Sequence, residues 1–289
     1  MSSARPRAQR AGRLATLAAL ALCSLMALSV LAQSSAPQVD PRRSGFADMG
    51  RELQAMQRDD AQNPGMLWVA DGAALWSRPV AAAASSAGPA ASTASSATAA
   101  DASCASCHGD AASSMRGVAA RYPAWDAKLR GPVDLAQRIN LCRERHQRAP
   151  PFAAESQELL ALESHVGHAS RGLPVAPPDD PRLLPYRMRG EALHQTRIGQ
   201  LDLSCAQCHD ERAGQRLGGS VIPQGRSVGY PIYRLEWQGL GSLQRRLRNC
   251  MTGVRAQPLA YGAPEMVELE LYLAWRDRGM TGETPGVRP

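Results

Sequence analysis

Aromatic side chains are scarce in this sequence: Phe, Trp and Tyr make up 4% of its 289 residues, and only two are Phe. No stretch interleaves basic residues with aromatics, so the usual footprint of a nucleic-acid-binding surface is missing. Positive charge is also thin once the N-terminus is set aside. The whole chain is formally +7, but Arg5, Arg7, Arg10 and Arg13 lie in its first residues, and without them the balance falls to +3. Local arginine clusters then suit small anions and nothing more extensive. Beyond Leu31 no apolar run is long enough to span a bilayer, so no membrane span is expected in the mature protein.

The four arginines precede an uncharged run from Leu14 to Leu31, with Val30-Leu31-Ala32 just before Gln33. This is the layout of a secretory signal peptide, residues 1–32. Polar residues follow at once, which favours cleavage over retention as an anchor. No twin arginine precedes the run, so the expected route is Sec rather than Tat, and the expected location is the periplasm. Cys23 leaves with the signal.

Six cysteines remain: Cys104, Cys107, Cys142, Cys205, Cys208 and Cys250. In an oxidising compartment each needs a partner or a purpose. Cys104-Ala105-Ser106-Cys107-His108 and Cys205-Ala206-Gln207-Cys208-His209 both have the spacing of c-type haem attachment. Cys104, Cys107, Cys205 and Cys208 would form thioethers with haem vinyl groups, and His108 and His209 would become iron ligands. Two such pentapeptides in an exported chain point to two covalently bound haem c groups.

The likeness extends past the pentapeptides. Tyr122-Pro123 stands 20 residues before Cys142, and Tyr230-Pro231 stands 20 residues before Cys250. Leu135, Arg138 and Ile139 match Leu243, Arg246 and Leu247, and Pro150 matches Pro258. The expected fold is mainly α: two tandem cytochrome c-like haem domains related by internal duplication, with an N-terminal arm. Helices wrapped around a haem gain from it much of the core that a domain of this size lacks. The spacing predicts an arm over 33–80 and an Ala/Ser-rich linker or loop over 81–103. It then predicts a first domain over 104–173, a Pro-rich linker over 174–185 and a second domain over 186–289. A closing helix is expected from Pro264 to Trp275, with Gly279 as its stop.

The sixth iron position decides between electron carrier and enzyme. Met115, Met188, Met251, Met280, His146, His165, His168 and His194 are candidates, but none recurs in both copies. Cys142 and Cys250 do, each on the apolar face of the same helix. Thiolate ligation of the first iron by Cys142 and of the second by Cys250 is favoured. A Cys142–Cys250 disulfide and His/Met ligation through Met251 are the alternatives. Arg138 and Arg246 stand one helical turn before the cysteines and can support thiolate charge or bind haem propionates. Arg245, Arg248 and Arg255 add positive charge near Cys250.

The runs from Gly199 to His209, from Gly229 to Gln238 and from Arg245 to Cys250 resemble the SoxA family, as do Asn63-Pro64-Gly65-Met66-Leu67-Trp68-Val69 and the run from Cys104 to Tyr122. The resemblance covers about Met49 to the C-terminus and, with two CxxCH motifs, points to the family's dihaem form. It implies the larger cytochrome subunit of a SoxAX complex, an L-cysteine S-thiosulfotransferase of bacterial thiosulfate oxidation. With a SoxX-type monohaem cytochrome c, such a subunit joins thiosulfate to the carrier cysteine of SoxYZ, and two electrons pass to an acceptor cytochrome c. The resemblance further implies that Cys250 is both axial ligand and catalytic persulfide, with Arg246 stabilising anionic sulfur. The alternative is a dihaem periplasmic electron-transfer cytochrome without sulfur chemistry of its own.

Overall fold

Side-chain caps open both haem-motif helices and both cysteine-bearing helices. The computed structural model describes residues 40–80 and 102–289. The expected signal peptide and nearly all of the Ala/Ser-rich stretch lie outside the described residues. Within them the N-terminal segment forms α1 (Arg51–Arg58) and α2 (Met66–Ser77), separated at Asn63-Pro64-Gly65. The first haem motif makes the short helix α3 (Cys104–His108), followed by α4 (Ala111–Ser114). Then come α5 (Leu135–Cys142) and α6 (Gln157–His168). Asp134 opens α5 with a capping box: its carboxylate accepts from the Gln137 amide at 2.6 Å, and the Gln137 side chain accepts from the Asp134 amide at 3.1 Å.

The second half repeats the series as α7 (Leu184–Gln195), α8 (Cys205–His209), α9 (Leu243–Gly253) and α10 (Pro264–Arg276). Pro185 sits in the first turn of α7, where its missing N–H costs nothing, so the helix begins two residues inside the expected linker. The helix α10 starts at Pro264 as anticipated. It ends at Arg276 with Asp277 as its C-cap, and Gly279, the expected stop, follows two residues on at φ 83°.

The duplication includes a helix crossing. In the first half α2 packs on α6, and in the second α7 packs on α10. Both crossings close over a glycine. A Cβ on Gly72 would lie 2.2 Å from the Ala161 carbonyl oxygen, and one on Gly190 would lie 2.0 Å from that of Glu268. The segment expected as an arm therefore supplies α2 as the counterpart of α7. Its other helix, α1, reaches the far end of the chain, where Gln57 Oε1 accepts from the Val287 amide at 2.9 Å.

Short strands appear that the helical periodicity did not announce. Hairpin β1 (Ala124–Asp126) with β2 (Gly131–Val133) precedes α5. After a small hairpin of β3 (Arg216–Leu217) and β4 (Ser220–Val221), β5 (Ile232–Arg234) with β6 (Gly239–Gly241) precedes α9. The C-terminal β7 (Gly286–Arg288) adds to β5 in parallel. The two Tyr-Pro hairpins are in matching register, so Asp126 opposite Gly131 and Arg234 opposite Gly239 hold the same place in the two halves.

Each half has its own apolar cluster. Trp76, Ala111, Leu162 and Val166 meet Leu135 and Ile139 in the first; Met251, Met266, Leu269, Tyr272 and Leu273 meet Leu243 and Leu247 in the second. A third cluster joins Leu160 to Tyr233 and Leu240, with Trp68 and Leu235 against it, which ties the halves within one unit, Arg42–Pro289.

A cavity of about 230 Å³ lies between the halves and is lined by Asp134, Glu155, Glu163 and Glu270, among others. Burial pushes the Asp134 carboxyl up to about 6 and raises Glu163 and Glu270 well above the usual carboxylate range, with mutual repulsion adding to it. Acids whose folded pKa exceeds the unfolded value give stability that is complete below pH of about 4 and is lost as pH rises through the folded values. Thermal stability should therefore decline as pH rises from about 4 through about 6 and on through the higher folded values of the two glutamates, and Glu163→Gln should flatten the decline. Melts across pH that show the same slope in the variant would remove Glu163 from the effect.

Candidate active site

The second haem motif is built by a capping box. Ser204 accepts from the Gln207 amide at 3.2 Å, Gln207 accepts from the Ser204 amide at 2.9 Å, and Cys205, Cys208 and His209 follow on one short helix. His209 donates from Nδ1 to the Pro223 carbonyl at 2.8 Å, because a carbonyl can only accept. That bond fixes the tautomer and leaves Nε2 for a metal. A Cβ on Gly225 would come within 2.9 Å of the imidazole, so the loop closes directly over the ring.

Cys250, on α9, meets His209, and each shifts the other's ionisation. Burial alone pushes its thiol up, but the His209 contact and the charges of Arg246, His209 and Arg234 outweigh burial and hold it below the usual thiol range. His209 shows the converse. Burial favours its neutral form, yet Cys250 and the Pro223 carbonyl win and raise its pKa. Cys205 is pushed up to about 11, first by burial and then by the Cys250 charge. Among the described residues, Arg246 has no carboxylate partner. Tyr230, pushed up to about 12 by burial, remains protonated beside it.

The first half differs at the same positions. Ser103 caps α3, and Trp76 donates to the Gly109 carbonyl at 2.9 Å while its ring lies 5.7 Å from that of His108. Cys107 and His108 are exposed. Cys142 ends α5 within electrostatic reach of Cys107, but among the described residues no hydrogen bond joins it to His108. Burial raises the Cys142 thiol, and Arg138 and Arg145 offset only part of the rise. Asp126 offsets part of their charge, meeting Arg138 at 2.8 Å and Arg145 at 2.7 Å. A cavity of about 250 Å³ beside this motif is lined by Cys104, Arg143, Gln147 and Phe152.

Cys142 and Cys250 are both free thiols. Met251 is in the apolar cluster of the second half, and Met188 is exposed. His194 lies against Arg276 at 2.8 Å and is depressed to about 4, with burial as the leading cause. Arg245 lies over the Trp237 ring at 4.5 Å and Arg248 over the Tyr261 ring at 4.5 Å. Neither is among the charges that act most on Cys250, so the arginine cluster of the sequence divides and Arg246 alone faces the thiol. Arg234 joins it. Its signal was present in the alignment of the two halves, where Arg234 falls opposite Asp126.

The donor set of paired thiols, an oriented imidazole and a facing thiol suits a c-type haem. A family model described as SoxA/TsdA, cytochrome c domain, matches residues 92–175 and 189–281. This chain belongs to the SoxA family. It is 34% identical to the L-cysteine S-thiosulfotransferase subunit SoxA of Pseudaminobacter salicylatoxidans, over 90% of this chain and 87% of that one. With the SoxA subunit of Rhodovulum sulfidophilum it shares 33% identity over 88% and 82% of the two chains. Among solved structures, the SoxXA crystal structure from P. pantotrophus matches with a TM-score of 0.76 and 29% identity, covering 86% of this chain and 87% of that chain. As a SoxA-family cytochrome c, the chain binds haem c.

Proposed function

We propose that this chain is the catalytic dihaem subunit of a periplasmic L-cysteine S-thiosulfotransferase. With a SoxX-type monohaem cytochrome c it joins thiosulfate to the carrier cysteine of SoxYZ. The supporting observation is the contact between Cys250 and His209 under the positive charge of Arg246. The relatives bear the name of this activity, and the SoxXA likeness supports the SoxX-type partner.

In this reading Cys104 and Cys107 attach one haem c and Cys205 and Cys208 a second. His108 and Cys142 ligate the first iron, and His209 and Cys250 the second. When bound, haem c supplies the one-electron redox steps that carry electrons on to an acceptor cytochrome c. The conversion balances as thiosulfate plus a carrier thiol giving a protein-bound S-thiosulfonate, one proton and two electrons; an S–S bond forms and an S–H bond breaks. Cys250, as a persulfide, presents sulfur at the site. Arg246 holds the anionic end of the substrate, and protonated Tyr230 adds a hydrogen-bond donor. His209 is kept from rotating by Pro223.

Intact mass of the mature protein and a peptide map around Cys250 test the assignment. Two haems and one extra sulfur on Cys250 are expected. A crosslink from Cys142 to Cys250 would overturn the ligation of both irons. In steady-state assays with SoxYZ, Arg246→Ala should raise the thiosulfate KM about tenfold or more, as for loss of a charge-assisted contact. Unaltered kinetics would remove Arg246 from the site.

A further inference from the structure

The two halves place opposite charges at one position. Asp126 ends β1 and Arg234 ends β5, each opposite a glycine in the same register of the hairpin that leads into the cysteine-bearing helix. In the first half the acid meets Arg138 and Arg145, both of which act on Cys142, so the two guanidiniums there share a carboxylate within the protein. In the second half that position adds a guanidinium. Arg234 is close enough to Arg246 for the two to repel, and both act on Cys250.

Two guanidiniums that repel each other and share no acid are costly to hold together, and an anion reaching both removes that cost. The Arg234 side chain is 13% exposed, and its own partner, Glu236, lies at 2.8 Å on the outer side of the turn at 51% exposure. The Trp237 ring, 5.2 Å from the guanidinium, also holds it. Glu236 thus competes with any anion for Arg234 from the solvent side.

We infer that Arg234 and Arg246 together form the cradle for the sulfonate end of thiosulfate beside Cys250, and that Asp126 at the matching position denies the first half such a cradle. Arg234 is a substrate-positioning residue and sets which half takes the anion. The inference rests on the proposed thiosulfotransferase reading for the identity of the anion.

The test uses the holo complex with its SoxX-type partner, thiosulfate as the probe, and both calorimetric binding and conjugation kinetics with SoxYZ. Arg234→Ala should weaken thiosulfate binding and raise its KM about tenfold, with kcat changed far less. Arg234→Lys should recover part of the loss, because it restores charge without the planar fork. Glu236→Ala gives the opposite sign: with its competitor gone, Arg234 should bind thiosulfate more tightly and KM should fall. If Arg234 merely braces the turn through Glu236, both alanine variants lose affinity together, and that result overturns the inference. It also falls if Arg234→Ala leaves both KM and affinity unchanged while the wild type conjugates normally. If the wild type binds thiosulfate but conjugates nothing, and Arg234→Ala still loses affinity, the enzymatic reading fails and the cradle stands.

Discussion

Cys250→Ala should reduce thiosulfate conjugation by at least about a thousandfold, the scale seen when a residue that bears the reacting atom is removed. The substitution takes away the thiol that His209, Arg246 and Arg234 together favour as an anion. Haem content should not change, because attachment depends on Cys205 and Cys208 on a different helix. Mass spectrometry of the variant therefore separates loss of chemistry from loss of cofactor. A Cys250→Ala protein with both haems and near-normal turnover would leave the chain as an electron carrier.

Gly190→Ala is expected to destabilise the second half by about 3 kcal/mol. The added carbon would sit 2.0 Å from the Glu268 carbonyl oxygen, and backbone cannot yield as the end of a side chain can. For a chain of this size the melting temperature should drop by roughly 6–12 °C. Because α7 and α10 are in register around this contact, forcing them apart also disturbs Tyr272 and Leu273 in the cluster that supports α9 and Cys250. Gly72→Ala should act similarly in the first half, where Ala161 is the obstacle at 2.2 Å. A melting curve of Gly190→Ala that overlays the wild type would mean the crossing relaxes more easily than its geometry implies.

Much of the site is local chemistry and was legible along the chain. CxxCH needs only its own spacing to place two thiols and an imidazole on one short helix, and Ser103 and Ser204 cap those helices from the adjacent position. The i, i+4, i+7 pattern of Leu243, Leu247 and Cys250 put the cysteine on the face of α9 that packs inward, and the two leucines do line the cluster there. Repeats of such patterns carried the duplication as well.

The strands were harder to see. Segments of three residues have too short a period to register, and β7 has its partner in β5 only because the chain folds back on itself. The N-terminal segment read as an arm on the first unit, and it does pack there, but nothing local says that α2 repeats the role of α7 or that Gln57 meets Val287.

Sequence alone thus set the cofactor chemistry, the helical class, the twofold repeat and the matching cysteines, because each depends on residues within a few turns of one another. Which cysteine faces two guanidiniums that share no carboxylate was decided by tertiary structure. Arg138 and Arg246 both stand one helical turn before their cysteines, on helices that each begin at a side-chain cap, Asp134 and Ser242. What distinguishes them is whether a strand from the preceding hairpin brings them a carboxylate or a second guanidinium. Electrostatic energy depends on distance in space and on burial rather than on separation along the chain, so that difference takes effect only when the hairpin and helix are packed together.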